Sequence, residues 1–202
     1  MIKLFTDFSL GTVGHTRGGP AKVAVVASGL MGTINGSGVA NVVTTGQFTI
    51  PLMKRFGYRA EFAGGVEATS SMGGQIMPPV MGAVAFIMAE TIGVPYVDIV
   101  KAATIPALLY FATAFWMVHL EAGRLHLMGL PKSECPDAWA AVVQNWHLIL
   151  PLAALVLLLF SGYTPLFSGM VALALTVVLI FGFVLAARFG PTGIKILFWI
   201  LI

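Results

Sequence analysis

The sequence predicts an all-α, polytopic membrane protein with a re-entrant helical hairpin and a discontinuous transmembrane helix. Of its 202 residues, 58% are hydrophobic and only 9% are charged, and the mean hydropathy is +0.93. A soluble domain carries roughly 25% charged residues, so the composition indicates an integral membrane protein. Two breaks interrupt the apolar sequence: a polar, Gly-rich one at 32–41 and one with both glycines and prolines at 70–79. These breaks predict the hairpin tip and the helix discontinuity.

The hairpin is predicted over about 21–54. Apolar arms of about 12 to 15 residues flank the polar run 32–41, whereas a helix needs about 20 residues to span the hydrocarbon. Cations stay on the cytoplasmic side of a membrane, so like-charged ends predict that both arms return to one compartment. Both outer ends are basic, with Arg17 and Lys22 before the arms and Lys54, Arg55 and Arg59 after them.

The discontinuous helix is predicted over about 61–95. Two glycines and two prolines fall within 73–79 and should unwind it into halves near 61–73 and 79–93. Irregular backbone at membrane depth survives only where protein buries it or where it lines a cavity. Paired discontinuities at the midplane are typical of a transporter's binding site; the alternative is a pair of kinks that serve only helix packing.

The rest of the chain completes a consistent topology, with a continuous span over about 98–121 and two more over about 147–161 and 166–187. We assign 1–130 to a first domain and 131–202 to a polar loop, the last two spans and the start of a further segment. Because the sequence stops within an apolar run, we expect a fragment of a longer protein. The net charge of +3 is small and dispersed, which argues against nucleic acid as a partner. The apolar composition predicts a lipid bilayer as the partner.

Several residues are candidates for chemistry. Glu67 lies about two turns inside the first half-helix, where an acid is costly and is a functional candidate by default; relaying protons, pairing with a cation and purely structural pairing all remain open. The run 35–38 resembles the serine motif of rhomboid-type intramembrane proteases, which makes a serine enzyme using Ser37 one alternative. That motif needs Gly where Asn35 stands. An ion channel is another alternative, although no ring of charge is evident.

Several motifs, in this order along the chain, resemble the large membrane subunit of tripartite ATP-independent periplasmic (TRAP) transporters: 17–25, 32–41, 44–46, 49–54 and 73–82. Their form most resembles the fused permeases of the TAXI-type branch. The resemblance implies a secondary-active, elevator-type transporter, not an enzyme, in the inner (plasma) membrane of a bacterium or archaeon. This chain matches the first of the family's two inverted repeats.

The resemblance also implies a coupling ion, partners and site residues. A Na⁺ gradient would drive uptake of an organic anion (a C4-dicarboxylate, a 2-oxo acid or a glutamate-like carboxylate) delivered by a periplasmic binding protein. A small membrane subunit, fused or separate, would be a further partner, and no organic cofactor is implied. Substrate contacts would come from Ser37, Asn41, Thr45 and Gln75. The Na⁺ ligands, several of them backbone carbonyls, would be Asn35, Ser37, Gly38, Gly74, Met77 and Pro78.

Overall fold

The structure, a computed structural model, describes residues 2–132, 135–144 and 146–189. Within these ranges all regular secondary structure is helical, with no strand, which confirms the predicted all-α class. The chain divides into two compact units, Met1–Gln144 and Asn145–Ile202.

The first unit consists of α-helices and one 3₁₀ turn that together contain the predicted hairpin and the predicted broken helix. In chain order they are α1 (Ile2–Val13), α2 (Gly19–Asn35), α3 (Gly38–Arg55), α4 (Ala60–Gly73), the 3₁₀ turn (Gly74–Ile76), α5 (Ala83–Ile92), α6 (Tyr96–Arg124) and α7 (Ala138–Gln144).

Helices α2 and α3 form the hairpin, and only two residues separate them. Gly36 ends α2 in the left-handed region at φ +59°, a conformation that glycine adopts without a steric penalty. Ser37 is extended, and its hydroxyl oxygen accepts a hydrogen bond from the peptide N–H of Ala40 at 3.3 Å, which caps α3. The arms are 17 and 18 residues long. They exceed the expected 12 to 15 because the polar residues beside the turn remain helical.

The break in the second helix is present, but it extends further along the chain than the sequence suggested. Helix α4 gives way to the 3₁₀ turn, and α5 begins at Ala83 instead of near 79. A proline disfavours helix in the residue before it, and the sequence has two in succession here. The peptide N–H of Gly82 donates to the carbonyl of Gln75 at 2.8 Å. The loop 77–82 therefore folds back on the 3₁₀ turn.

Helix α6 is the one helix in the described part of the chain that is long and apolar enough to cross a membrane by length and composition, with 29 residues and a best-window mean hydropathy of 1.5. It contacts α2, α4 and α5, and only a few of its apolar side chains are buried. The core of this unit joins α2, α3, α4 and α6, and most of its buried members are alanine and valine. Its buried members are Ala21, Ala24, Val25, Met53, Tyr58, Ala63, Val118 and Ala122.

Two helices of the first unit were not predicted. No regular structure was predicted for the N-terminal stretch, which forms α1, and α7 lies in the region expected to be a polar loop. The two pack together: a Cβ added to Gly11 would lie 2.5 Å from the carbonyl oxygen of Pro136. Helix α1 has no acidic residue in its first turn and no basic residue in its last, so it lacks the usual end signals. Helix α7 has an N-cap, because the Asp137 side chain accepts a hydrogen bond from the peptide N–H of Trp139 at 3.0 Å, but the helix is only seven residues long.

The second unit contains α8 (Trp146–Phe160) and α9 (Pro165–Phe189), which pack against each other. These helices occupy the two stretches predicted as spans over about 147–161 and 166–187. The Ser168 hydroxyl at the start of α9 donates to the carbonyl of Thr164 at 3.0 Å and is fully buried. The further segment expected to begin after α9 lies outside the described residues.

Candidate functional site

The hairpin lies directly against the broken helix. A Cβ added to Gly32 of α2 would lie 2.2 Å from the Cα of Gly74 in the 3₁₀ turn, and a Cβ added to Gly74 would lie 2.6 Å from the Cα of Gly32. Atoms that close cannot coexist, so a side chain at either position would force the two elements apart. The two sequence breaks are therefore neighbours in space.

Two further glycines bring the tip itself onto the break. A Cβ on Gly36 would lie 2.3 Å from the carbonyl oxygen of Met81. A Cβ on Gly38 would lie 2.3 Å from the sulfur of Met72 and 2.6 Å from Nε2 of Gln75. The first turn of α3 thus rests on the end of α4 and on the 3₁₀ turn.

The predicted Na⁺ ligands lie around this contact, and they differ in burial and in hydrogen bonding. The side-chain oxygen of Asn35 accepts a hydrogen bond from the peptide N–H of Ser37 at 3.2 Å, and its amide nitrogen is buried without a hydrogen-bond partner among the described residues. In this conformation the free side-chain group of Asn35 is a donor, which suits an anion or a carbonyl better than a cation. Its backbone carbonyl is the group that remains available to a cation.

The other five predicted ligand positions also belong to the tip and the break, and Ser37 is exposed at the tip. Gly38 and Gly74 are buried, whereas Met77 and Pro78 are half-buried in the loop. The Gly74 carbonyl accepts a hydrogen bond from the N–H of Met77 at 3.2 Å, and a carbonyl oxygen has a second lone pair for another partner. The backbone carbonyls of these residues therefore belong to one region of the structure, where the tip meets the break.

The four predicted substrate residues fall into two pairs. Ser37 is exposed at the tip, and Gln75 is half-buried with Nε2 3.6 Å from the sulfur of Met72. Asn41 and Thr45 are one turn apart on α3 and are only 0% and 3% exposed. The first pair is accessible to a solute in this conformation, and the second pair lies inside the protein.

Of the two polar side-chain atoms of Asn41, only one forms a hydrogen bond among the described residues. Its amide nitrogen donates to the carbonyl of Ser28 on α2 at 2.8 Å, whereas its oxygen Oδ1 is buried with no hydrogen-bond partner among the described residues. The amide nitrogen is close to the break, 3.3 Å from a Cβ built on Gly74. An unsatisfied buried acceptor costs about 1–3 kcal/mol, so a cation or a donor bound here would relieve it. The sequence did not indicate Asn41 as a cation ligand.

Glu67 of α4 is fully buried, and four hydroxyl groups surround its carboxylate. Ser28 and Ser71 each donate to Oε1 at 2.9 Å, and Thr45 donates to the same oxygen. Thr49 donates to Oε2. The four hydroxyls come from α2, α3 and α4, so one carboxylate joins both arms of the hairpin to the broken helix.

Three of these hydroxyl residues, Ser28, Thr49 and Ser71, were not singled out from the sequence. One signal was available for two of them: Thr49 follows Thr45 by four residues, and Ser71 follows Glu67 by four, which places each pair on one helix face. Nothing local indicates that these faces and Ser28 meet, because the contact is tertiary.

The described residues contain no group of three or more His, Cys, Asp or Glu that could hold a metal ion. They also place no histidine in hydrogen-bond contact with the Ser37 hydroxyl, whose oxygen accepts the Ala40 N–H. The arrangement therefore offers oxygen ligands for an alkali cation and hydroxyl and amide donors for an anion, and it does not assemble the acid–base pair of a serine enzyme.

A family model described as "Tripartite ATP-independent periplasmic transporter, DctM component" matches residues 1–195. A putative TRAP transporter large permease protein of Haemophilus influenzae is 27% identical over 173 residues, covering 85% of this chain and 40% of that protein. The 2,3-diketo-L-gulonate TRAP transporter large permease protein of Escherichia coli gives the same values. The C4-dicarboxylate TRAP transporter large permease protein of Pseudomonas aeruginosa is 29% identical over 168 residues, covering 82% and 39%. The chain spans about two fifths of the length of these relatives.

Proposed function

Because the chain belongs to the DctM component family of tripartite ATP-independent periplasmic transporters, a family of transporters and not of enzymes, we propose that it forms the first inverted repeat of a permease that imports organic anions. The observation that carries this proposal is the direct contact between the hairpin and the break at Gly32 and Gly74. Two discontinuities meeting in one place are typical of secondary transporters.

The hairpin is re-entrant in this proposal. Its arms of 17 and 18 residues lie at the short limit of the roughly 17 to 25 residues of a spanning helix, so the re-entrant path rests on the charge at the base of the hairpin. The base of the hairpin carries Lys54 and Arg55, both exposed in the last turn of α3. A cationic base at the cytoplasmic surface then leaves the tip within the membrane, in the inner membrane of a bacterium or archaeon. The Glu67 carboxylate joins the hairpin to the broken helix. In this proposal the two elements move across the membrane together, as one elevator unit.

Na⁺ is the coupling ion in this proposal, held at the contact between the tip and the break. Ser37 supplies its hydroxyl, and Asn35, Gly38, Gly74, Met77 and Pro78 supply backbone carbonyls. To this set we add the side-chain oxygen of Asn41, because it is a buried acceptor without a partner. Carbonyl, amide and hydroxyl oxygens are hard ligands of the kind that alkali cations prefer. In other secondary transporters, backbone carbonyls of unwound helix segments coordinate the coupling ion.

The substrate is a carboxylate that binds at the exposed side of the tip. The Ser37 hydroxyl and the Gln75 amide supply donors there, and the N-terminus of α3 adds a positive partial charge. Asn41 and Thr45 support this surface from inside, and they contact substrate only if the hairpin opens. The names of the E. coli and P. aeruginosa relatives specify a diketogulonate and C4-dicarboxylates, which are carboxylates; 2-oxo acids and glutamate-like anions share that group.

The permease works with partners. A periplasmic binding protein delivers the anion, and a small membrane subunit, fused or separate, completes the membrane part. The form of the motifs at 32–41 and 73–82 favours the TAXI-type branch of the family.

Uptake by the full-length permease tests the proposal. The permease is reconstituted in proteoliposomes, its binding protein is added outside, and radiolabelled C4-dicarboxylates and 2-oxo acids are offered. We expect accumulation that requires an inward Na⁺ gradient and stops when an ionophore collapses it. Uptake that ignores the Na⁺ gradient would overturn the coupling, and no uptake of any organic anion would overturn the transport function.

A further inference from the structure

Glu67 is a buried acid without a cationic partner in the described part of the chain. An unpaired charge in a protein interior costs several kcal/mol, and an acid within a membrane segment marks a functional site by default. The ion pairs formed by described residues do not include it; they join Arg59 to Glu61, Lys101 to Asp98 and Arg124 to Glu121.

The titratable groups on the neighbouring elements have other partners or lie at the surface. Lys22 of α2 donates to the Thr16 hydroxyl at 3.3 Å, and its ammonium lies 4.8 Å from the ring centre of Phe115. The 3₁₀ turn has no charged residue. Lys54 and Arg55 on α3 and Glu61 on α4 are exposed. On α6, Tyr110 donates to the Thr69 carbonyl and Tyr96 donates to the carbonyls of Pro79 and Val80. The ring of His119 is tilted against that of Trp116, and the charges near the ends of α6 are paired. The groups that contact the Glu67 carboxylate are hydroxyls.

Four hydroxyls surround the Glu67 carboxyl group, and we call them the hydroxyl cage: Ser28, Thr45, Thr49 and Ser71. The hydroxyl cage can satisfy the hydrogen bonds of the carboxyl group in either protonation state. When Glu67 is ionised, all four hydroxyls donate to it. Oε2 has Thr49 as its hydroxyl partner, and the Thr49 oxygen also lies 3.0 Å from the carbonyl of Thr45. When a proton sits on Oε2, it is donated to Thr49, which turns its own hydrogen towards that carbonyl. No heavy atom has to move.

The cage suits a proton better than a metal ion because its oxygens are already in direct contact. The hydroxyls of Ser28 and Ser71 both lie 2.9 Å from Oε1, at hydrogen-bond distance. On another side the helix backbone is close, since a Cβ on Gly46 would lie 3.2 Å from Cγ of Glu67. A cation would have to push these groups apart, whereas a proton needs no additional space.

We propose that Glu67 is a proton-binding site of the permease, which takes up one proton from water and releases it again during transport. The inference rests on the proposed transport function and adds a second coupling ion at a place distinct from the hairpin tip. The step is a simple protonation in which the carboxylate binds H⁺ at Oε2, and release reverses it. Because Glu67 is fully buried between α2, α3 and α4, a proton reaches it only when the packing around its four hydroxyl partners loosens locally, while the hairpin and α4 stay joined. Proton exchange is therefore tied to a local opening of this packing.

Infrared difference spectroscopy of the full-length permease in lipid bilayers tests the site without transport. We expect the C=O band of a protonated carboxylic acid to grow as pH falls, and to be lost in Glu67→Gln. The matched control is Glu61→Gln on the same helix, whose side chain is 78% exposed; it keeps the band. A wild-type protein with no titrating band that depends on Glu67 would overturn the proposal.

A second pair of variants tests the role of the cage. Thr49→Val removes the hydroxyl that serves both charge states and should move the pH midpoint of the band. Thr44→Val is the control, because that hydroxyl donates to backbone carbonyls, at 2.8 Å to Ala40 and 3.1 Å to Asn41. Equal midpoints in Thr49→Val, Thr44→Val and wild type would contradict the cage.

Transport separates this proposal from the function on which it rests. Net uptake by the wild type should change with pH, by at most about tenfold per pH unit for one linked proton, and Glu67→Gln should remove that dependence. A titrating band together with no uptake of any organic anion would refute the transport function and leave the proton site. Uptake with no titrating band would refute the proton site and leave the transport function.

Discussion

The backbones of Gly32 and Gly74 touch, and neither position can hold even a methyl group. A Cβ on Gly32 would overlap the Cα of Gly74 at 2.2 Å. This contact holds the last turn of α2, just before the hairpin tip, against the 3₁₀ turn of the broken helix. It also explains why two small-residue runs so far apart in sequence belong to one site.

Gly32→Ala and Gly74→Ala should each reduce uptake by at least about tenfold, because a Cβ separates the tip from the break and a shift of about 1 Å can cost that much in a positioned site. The measurement is the initial uptake rate of the full-length permease, normalised to the amount inserted. The control is Gly64→Ala on α4, where a Cβ would meet nothing within 4 Å. Normal uptake in both variants would contradict the contact.

Asn41→Ala should weaken activation by Na⁺. Its side-chain oxygen is buried without a partner among the described residues, and losing one ligand worth about 1.4 kcal/mol raises the half-maximal Na⁺ concentration about tenfold. Na⁺ titrations of uptake measure this effect at saturating substrate. Gln47→Ala, on the same helix but exposed, is the control. If both variants need the same Na⁺ concentration as wild type, Asn41 is not a ligand.

Tyr58 should make the protein sensitive to high pH. It lies in the loop between α3 and α4, buried, and its hydroxyl has no hydrogen-bond partner among the described residues. Burial, with a contribution from the negative charge of Glu121, raises the pKa of Tyr58 from 10.0 to about 12. The unfolded chain therefore loses the phenolic proton first, and stability falls as pH rises from about 10 towards 12.

Tyr58→Phe keeps the ring but removes the ionisable group, so it should unfold at a higher pH than wild type. Circular dichroism of the purified full-length permease follows alkaline unfolding. Tyr163→Phe, at a position that is 53% exposed, should leave the unfolding pH unchanged. The same unfolding pH for Tyr58→Phe and wild type would rule out this contribution.

The hairpin and the break were accessible from sequence because they depend on local chemistry. A left-handed turn needs glycine, and Gly36 supplies it; an N-cap needs a short polar side chain, and Ser37 supplies it. The arms are longer than predicted because the prediction placed the break over all the polar residues at 32–41. In the structure only Gly36 and Ser37 are not helical. Thr33 and Asn35 are polar and still helical.

The buried part of the site could be predicted from the sequence only in part. Glu67 stood out because it is an acid in an apolar segment, but its partners on α2 and α3 are ordinary serine and threonine residues that a tertiary contact brings together. The same contact explains the burial of Asn41 and Thr45, since their helix face is turned towards α2 and α4. The packing of α1 on α7 was missed for a similar reason.

The central claim is that the hairpin tip forms the ion and substrate site. Labelling of Val39→Cys, two residues from Ser37 and 72% exposed, tests it most directly, in a full-length permease whose native Cys135 is replaced by serine, with Glu61→Cys as an exposed control. With a membrane-impermeant maleimide, we predict that Na⁺ and substrate together slow labelling at position 39 by at least about tenfold, the occupancy effect of a ligand well above its Kd, and leave position 61 unchanged. Equal labelling rates at position 39 with and without Na⁺ and substrate would contradict the claim.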